Sequence, residues 1–424
     1  MPAPRAEPTP LPADGPAAAR RPWIDWAIWL VLRLVALAII IGWIPWPELV
    51  NDLTIYGTWV TDSLQFGRFP TDEMWQYPPL AGPVFVAGSW LPGQRVGFAL
   101  LFLAFDAAIM AMLARQAGRT GRSAGTRLWA LLPVIVGPLI LARFDVVPTA
   151  FAVAAVLAAA RPMASGVLAA SGAWLQVWPL LVLAAVRRRD LPRAALGALG
   201  ASALIAGVLA VTTDEPMSFL TGQRDRGLQI ESLAAWPFLV ARALGAPVEV
   251  IYRYGAHEVE AAGVDLAARG ATLATLVLLA IVAIQRLRGA LEPLPGADVA
   301  LATVLFSVAT SRVFSGQYFI WLLALAAVCL SDPGSRMRRT IWLLIAAGLA
   351  THLVYPWLYS ALLAGSPLAV LVQTVRVGLT LAATGTALVV LVHPARAHAS
   401  GSPPSSISRS RSADRSQPHD DSTH

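Results

Sequence analysis

Repeated apolar runs constrain this chain more than any other feature. Between Trp26 and Leu391 they recur near 26–46, 97–114, 128–142, 146–160, 163–176, 179–187, 194–212, 265–284, 297–311, 317–331, 340–362 and 368–391, separated by short polar turns. A hydrocarbon layer about 30 Å thick is crossed by roughly 20 apolar helical residues, because a backbone amide left unpaired in lipid costs several kcal/mol. The expected fold is therefore an all-α polytopic integral membrane protein with about 11–12 transmembrane helices. Composition agrees: 56% of the residues are apolar and 13% are charged, about half the charged share of a soluble domain. The runs 163–176 and 179–187 are short and read as a broken or re-entrant hairpin turning at Trp178-Pro179.

All 32 basic residues are arginine, and the net charge is +7. In a soluble chain that balance would suggest nucleic acid, but here the arginines sit between apolar runs, as the positive-inside rule expects. Placing the clusters Arg115/Arg119/Arg122/Arg127, Arg187/Arg188/Arg189/Arg193, Arg286/Arg288 and Arg336/Arg338/Arg339 in the cytoplasm threads every run. Both termini are then cytoplasmic: a disordered leader over 1–25 and a disordered tail over 393–424, flanking a membrane domain over 26–392. The first run is too long for a signal peptide and has no small-residue cleavage site. Two long segments, 47–96 and 213–263, fall on the outer face and hold 12 of the 25 acids, among them Glu48, Asp52, Asp62, Asp225, Glu231 and Glu258. The single cysteine, Cys329, leaves no partner for a disulfide or a thiolate cluster.

Several outer residues can carry chemistry. Asp52 follows the first run where helix meets water, with Tyr56 and Trp59 at i+4 and i+7 on the same helical face. A half-desolvated carboxylate there suits a general base for a hydroxyl, and a helix N-cap is the plainer reading. Tyr77, stiffened by Pro78-Pro79, is either a directed site residue or an aromatic-belt anchor. The turn Arg143-Phe144-Asp145 puts a cation and an anion at the membrane edge, where they pair with each other or Arg143 grips phosphate. The stretch Arg224-Asp225-Arg226-Gly227-Leu228-Gln229-Ile230-Glu231-Ser232 combines guanidinium, amide and carboxylate groups, as a sugar phosphate requires.

Within the runs, Arg33 and Asp106 fall at similar depth and are expected to form a buried ion pair. His352 and Arg376 lie in the outer halves of the last two runs, where they line a cavity for an anionic lipid head or hydrogen-bond between helices. There is no Gly-rich phosphate loop, no HExxH and no D-x-D pair, so no metal and no other cofactor is called for, and a nucleotide-linked donor is disfavoured. A lipid or solute transporter or flippase is the alternative class, but such proteins show repeated halves and polar groups at mid-membrane, whereas here the polar groups gather outside.

In order along the chain, Asp52-Leu53-Thr54-Ile55-Tyr56, Tyr77-Pro78-Pro79-Leu80, Arg143-Phe144-Asp145-Val146-Val147-Pro148, Ala170 to Leu180, Arg226 to Ser232 and Val313-Phe314-Ser315-Gly316-Gln317-Tyr318 resemble stretches of the glycosyltransferase family 87 polyprenol-phosphate-mannose-dependent mannosyltransferases of actinobacteria. That resemblance implies a GT-C-like membrane fold, a polyprenyl-phosphate sugar donor, a cell-envelope glycolipid or glycan acceptor on the outer face, and inverting transfer with Asp52 as general base. It further implies that Tyr77, Arg143, Asp145, Arg226, Gln229, Glu231 and Gln317 line the site; the residues themselves add Tyr56 and Arg224 as candidates. Two positions depart from the pattern: Gln176 stands where a lysine is expected, and Gly316 where a proline is expected.

Overall fold

The computed structural model describes residues 22–43, 51–67, 75, 77–91, 93–212 and 226–393. Arg224, the tail beyond His393 and most of the leader lie outside the described residues.

The chain is an all-α polytopic membrane protein, and six helices among the described residues are long and apolar enough to cross a bilayer. They include α1 (Pro22–Ile40), α4 (Gln94–Thr120), α10 (Leu191–Thr212), α12 (Val264–Leu287), α15 (Arg338–His352, prolonged by a wide turn to Trp357) and α17 (Pro367–Val392). The other apolar runs are helical but shorter. The run 128–142 is broken into α5 (Ala124–Ala130), α6 (Leu132–Val136) and α7 (Leu139–Ala142), split at Leu131 and at Gly137-Pro138. The expected hairpin is α9 (Pro162–Ala173) followed by an eight-residue 3-10 helix, Trp178–Ala185. Three more short helices, α8 (Val146–Leu157), α13 (Gly296–Ala309) and α14 (Tyr318–Leu330), are buried over most of their surface. At 1.5 Å per residue a helix of 13 residues spans only about 20 Å. Apolar all round, such helices are enclosed by the longer ones and end partway through the bundle.

The described parts of the segments expected as outer loops are folded. The first holds α2 (Asn51–Phe66) and α3 (Ala81–Ser89). Gly97 of α4 sits where a Cβ would clash with the Gly88 carbonyl, so α3 packs directly on α4 only because that position is glycine. The second holds α11 (Trp236–Ala243) and a small antiparallel sheet, ordered β1-β3-β2, of β1 (Leu228–Gln229), β2 (Glu249–Arg253) and β3 (Ala256–Glu260). Leu228 pairs with Val259 and Ile251 with Glu258. Under the sheet Leu228, Ile230, Leu239, Val259, Leu362 and Val370 form a second apolar cluster. Trp236 Nε1 donates to Thr374 Oγ1 of α17 at 2.8 Å, tying this cap to the bundle.

Charge is segregated. A cavity of about 510 Å³ brings together Gln116 near the end of α4, Arg187, Arg286 at the end of α12, and Asp332 after α14, so the arginine clusters share one end of the bundle. The Arg127–Asp25 ion pair and the Thr340–Thr386 hydroxyl contact bring the start of α1 and the far half of α17 to that end as well. Deep in the bundle Arg33 and Asp106 form the expected pair, with Nε to Oδ2 at 2.9 Å and Nη2 to Oδ1 at 2.8 Å. Trp29 Nε1 adds a third donor to Asp106 at 2.6 Å, and the remaining guanidinium hydrogens reach the carbonyls of Ala130 and Trp129.

Candidate active site

At the end away from the arginine clusters α8 begins, α13 ends and α14 begins, and the space left by those short helices is a cavity of about 800 Å³. Its walls carry Asp52, Tyr56 and Tyr77 from the first folded segment, Asp145 and Gln176 from helix ends, Arg226 from the second segment, and Gln317 and Tyr318 at the start of α14.

Asp52 lies in the first turn of α2 and does not trail from α1. Its partner is Arg143, with Nε to Oδ2 at 3.0 Å; the Asp52 side chain is 29% exposed and that of Arg143 6%. The alternative pairing of Arg143 with Asp145 does not occur as a salt bridge. Arg143 instead donates from Nη2 to the Tyr355 hydroxyl at 2.9 Å. Burial works against the Arg143 charge, but Asp52, Tyr355 and Tyr56 outweigh it and push its proton affinity above the usual arginine range. Behind Asp52, Tyr56 is 1% exposed and stacks on Phe85 at 4.6 Å, and its hydroxyl meets that of Tyr77 at 3.3 Å. Burial raises the pKa of both tyrosines. They are neutral hydroxyls, held in place by a ring cluster that also includes Trp59, Trp75, Phe98 and Phe144.

Asp145 is held differently. Its Oδ1 accepts from Trp321 Nε1 at 2.9 Å and from Gln176 Nε2 at 3.4 Å. Burial pushes its carboxyl up to about 6, against the opposing pull of the Gln176 and Trp321 hydrogen bonds and of Arg143. Gln176, in the break between α9 and the 3-10 helix, is itself fixed by Trp178 Nε1 donating to its Oε1 at 3.1 Å. The position where a lysine is expected thus presents a neutral amide to a buried acid.

Another part of the wall is basic and rich in hydroxyls. Arg226 pairs with Glu258 at 3.6 Å, and Arg312 donates to Thr272 Oγ1 at 2.9 Å and to the Arg226 carbonyl at 3.0 Å. Thr272 and Thr275 of α12 line the cavity together with Thr310 and Ser311.

Three more of the residues singled out in the sequence support the walls. Gln229 receives the Phe314 N–H at 2.8 Å and donates to Ser315 Oγ at 2.6 Å and Glu231 Oε2 at 3.1 Å. Burial raises the Glu231 carboxyl, opposed by Arg376 and Arg143. Arg376 is fully enclosed and donates to Thr351 Oγ1, the Glu231 carbonyl and the Phe314 carbonyl at 2.8, 2.6 and 3.0 Å, which makes it a clamp and not a ligand for a lipid head. His352 is outside the cavity: its Nδ1 lies 3.3 Å from the Val134 carbonyl, and its ring packs on Gly137, whose φ of 72° suits glycine. Sequence reasoning did not single out Trp178, Tyr318 and Trp321 as site residues, nor Arg312 and Tyr355. The i, i+3 spacing of Tyr318 and Trp321 at a helix start was the available signal.

A polytopic membrane protein whose one charged and aromatic cavity end opposes an arginine-rich end has the architecture of a membrane enzyme acting at one face. The chain belongs to glycosyltransferase family 87, whose model matches residues 75–311, more than half of its length. It is accordingly a membrane glycosyltransferase. No curated protein and no solved structure matches it.

Proposed function

We propose that the chain transfers a mannose-like hexose from a polyprenyl-phosphate donor to a cell-envelope glycolipid or glycan. The transfer takes place on the non-cytoplasmic face and inverts the anomeric carbon, with Asp52 as general base. The observation that carries this reading is the placement of Asp52 in a helix first turn on the cavity wall, paired with Arg143, in the same cavity as Arg226 and Arg312.

Inverting transfer needs a base on one side of the anomeric carbon and a stabilised leaving group on the other. The acceptor oxygen forms its bond to that carbon while its proton passes to Asp52, and the bond from the carbon to the phosphate oxygen breaks with its electron pair leaving on lipid phosphate. Arg226 and Arg312 offset the charge that develops there, and fixed cations in a site of low dielectric do this without reorganising. Thr272 and Thr275 belong to a membrane-crossing helix. A phosphate held beside them keeps its polyprenyl chain in the bilayer.

The test is transfer of labelled hexose from polyprenyl phosphate in membranes containing equal amounts of protein. General-base catalysis contributes about 10²- to 10⁴-fold, so Asp52→Asn and Asp52→Ala are expected to lose at least 100-fold. Full activity in both variants removes Asp52 from the chemistry.

A further inference from the structure

We infer that Asp145 selects the donor sugar by accepting a hydrogen bond from one ring hydroxyl through its Oδ2, and that Trp321 holds it to that task; this rests on the donor reading above. Asp145 is 1% exposed and lines the cavity. Its Oδ1 is taken by Trp321 and Gln176, while its Oδ2 has no hydrogen-bond partner among the described residues. A buried carboxylate oxygen without a donor is costly, and its persistence in a site points to a ligand that supplies the donor.

No neighbour is free to turn and satisfy it. The Trp321 indole is stacked on Tyr318, with ring centroids 3.9 Å apart at 20°, and on Trp178 at 4.7 Å and 14°. Those two contacts fix the direction of its N–H. Gln176 is tied back to Trp178, and the Arg143 guanidinium is engaged by Asp52 and Tyr355. The carboxylate therefore keeps one orientation, with one oxygen committed and the other waiting.

The chemistry of the missing partner follows from the surroundings. Arg143 stands within electrostatic reach of Asp145 and disfavours a second cation, so a neutral hydroxyl is the matching donor. Trp178 and Tyr318 also line the cavity, and their rings suit the C–H face of a pyranose. Asp52, Asp145, Tyr318 and Arg226 all line this one cavity. A donor with its phosphate on Arg226 and its anomeric carbon facing Asp52 brings its sugar ring into the space that Asp145 borders.

The experiment uses the purified full chain in nanodiscs and a series of polyprenyl-phosphate hexoses, each with one ring hydroxyl replaced by hydrogen. Wild type is expected to lose about 10- to 150-fold in kcat/KM for one member, the range of a charge-assisted hydrogen bond, and much less for the others. Asp145→Asn is expected to flatten that difference to less than about 3-fold, whereas a merely structural defect scales all donors equally. Trp321→Phe, which keeps a stacking ring and lacks the N–H, is expected to weaken the same discrimination without creating a new one. Equal treatment of all deoxy donors by wild type, or unchanged selectivity in Asp145→Asn, overturns the inference. Selectivity confined to deoxy acceptors overturns it too. Absence of transfer from every polyprenyl-phosphate donor instead defeats the donor reading, and this inference with it.

Discussion

Removing the Arg33–Asp106 pair provides a quantitative test of how the bundle is held together. Arg33→Met leaves the Asp106 carboxylate, which is 0% exposed, with the single indole donor of Trp29 and no cation. Asp106→Leu leaves a buried guanidinium with only the Ala130 and Trp129 carbonyls. Breaking one side of a buried pair costs about 3–5 kcal/mol, because the survivor is an uncompensated charge. The double variant carries no buried charge there, but two carbonyls and one indole N–H lose partners, at about 1 kcal/mol each or somewhat more. Its expected loss is therefore about 3–4 kcal/mol, close to either single change, and the coupling energy is about 3–5 kcal/mol. Reversible unfolding in mixed detergent micelles, followed by tryptophan fluorescence, measures all three variants. A double variant that loses the sum of the two singles would show that the contacts do not act as one unit, and the argument would fail.

Two further outcomes concern Asp145. If its carboxylate is used ionised, kcat/KM falls as pH drops through about 6, and Asp145→Asn removes that limb. Stability moves the other way: the folded pKa of about 6 lies above the ordinary 3.8, so the folded state holds the proton longer and the contribution of Asp145 to stability declines as pH rises from about 4 to 6. Gln176→Lys places an ammonium beside Asp145 and is expected to move the acid limb below pH 6 in the same rate profile; an unmoved limb shows that another group titrates.

Much of this architecture is legible in the residues, and the exceptions have physical causes. The described residues of the apolar runs are largely helical, although 128–142 is broken into three pieces and most of 179–187 is a 3-10 helix, because a hydrocarbon solvent leaves the backbone no other partner. Their lengths did not reveal which ones cross. An enclosed helix such as α14 is as uniformly apolar as a crossing one, and only packing tells them apart. The small sheet had a local signal that apolar periodicity hides: Tyr254 and Gly255 take φ of 52° and 71°, the backbone of a two-residue hairpin between Val250-Ile251-Tyr252 and His257-Glu258-Val259. For the site, charged residues in polar segments were visible, and Asp52, Tyr56, Tyr77, Asp145, Gln176, Arg226 and Gln317 do share one cavity. Partner choice was not visible, since Arg143 joins Asp52, 91 positions earlier in the chain, and not its neighbour two residues on. Trp321 looked like one more residue of an apolar run, because nothing in the sequence shows which acid its indole N–H meets.

Halting α13 and α14 inside the bundle has a thermodynamic consequence. A helix end leaves up to four backbone groups without intrahelical partners, and hydrocarbon satisfies none of them. The last turn of α13 and the first of α14 face the cavity through Thr310, Gln317 and Tyr318, so water is the natural occupant when no substrate is bound. Sugar hydroxyls then enter by displacing that water and inheriting its hydrogen bonds. Binding becomes an exchange of one hydrogen-bonded lining for another, and a polyhydroxylated molecule, which loses least by leaving solvent for such a place, is the guest a truncated helix is suited to receive.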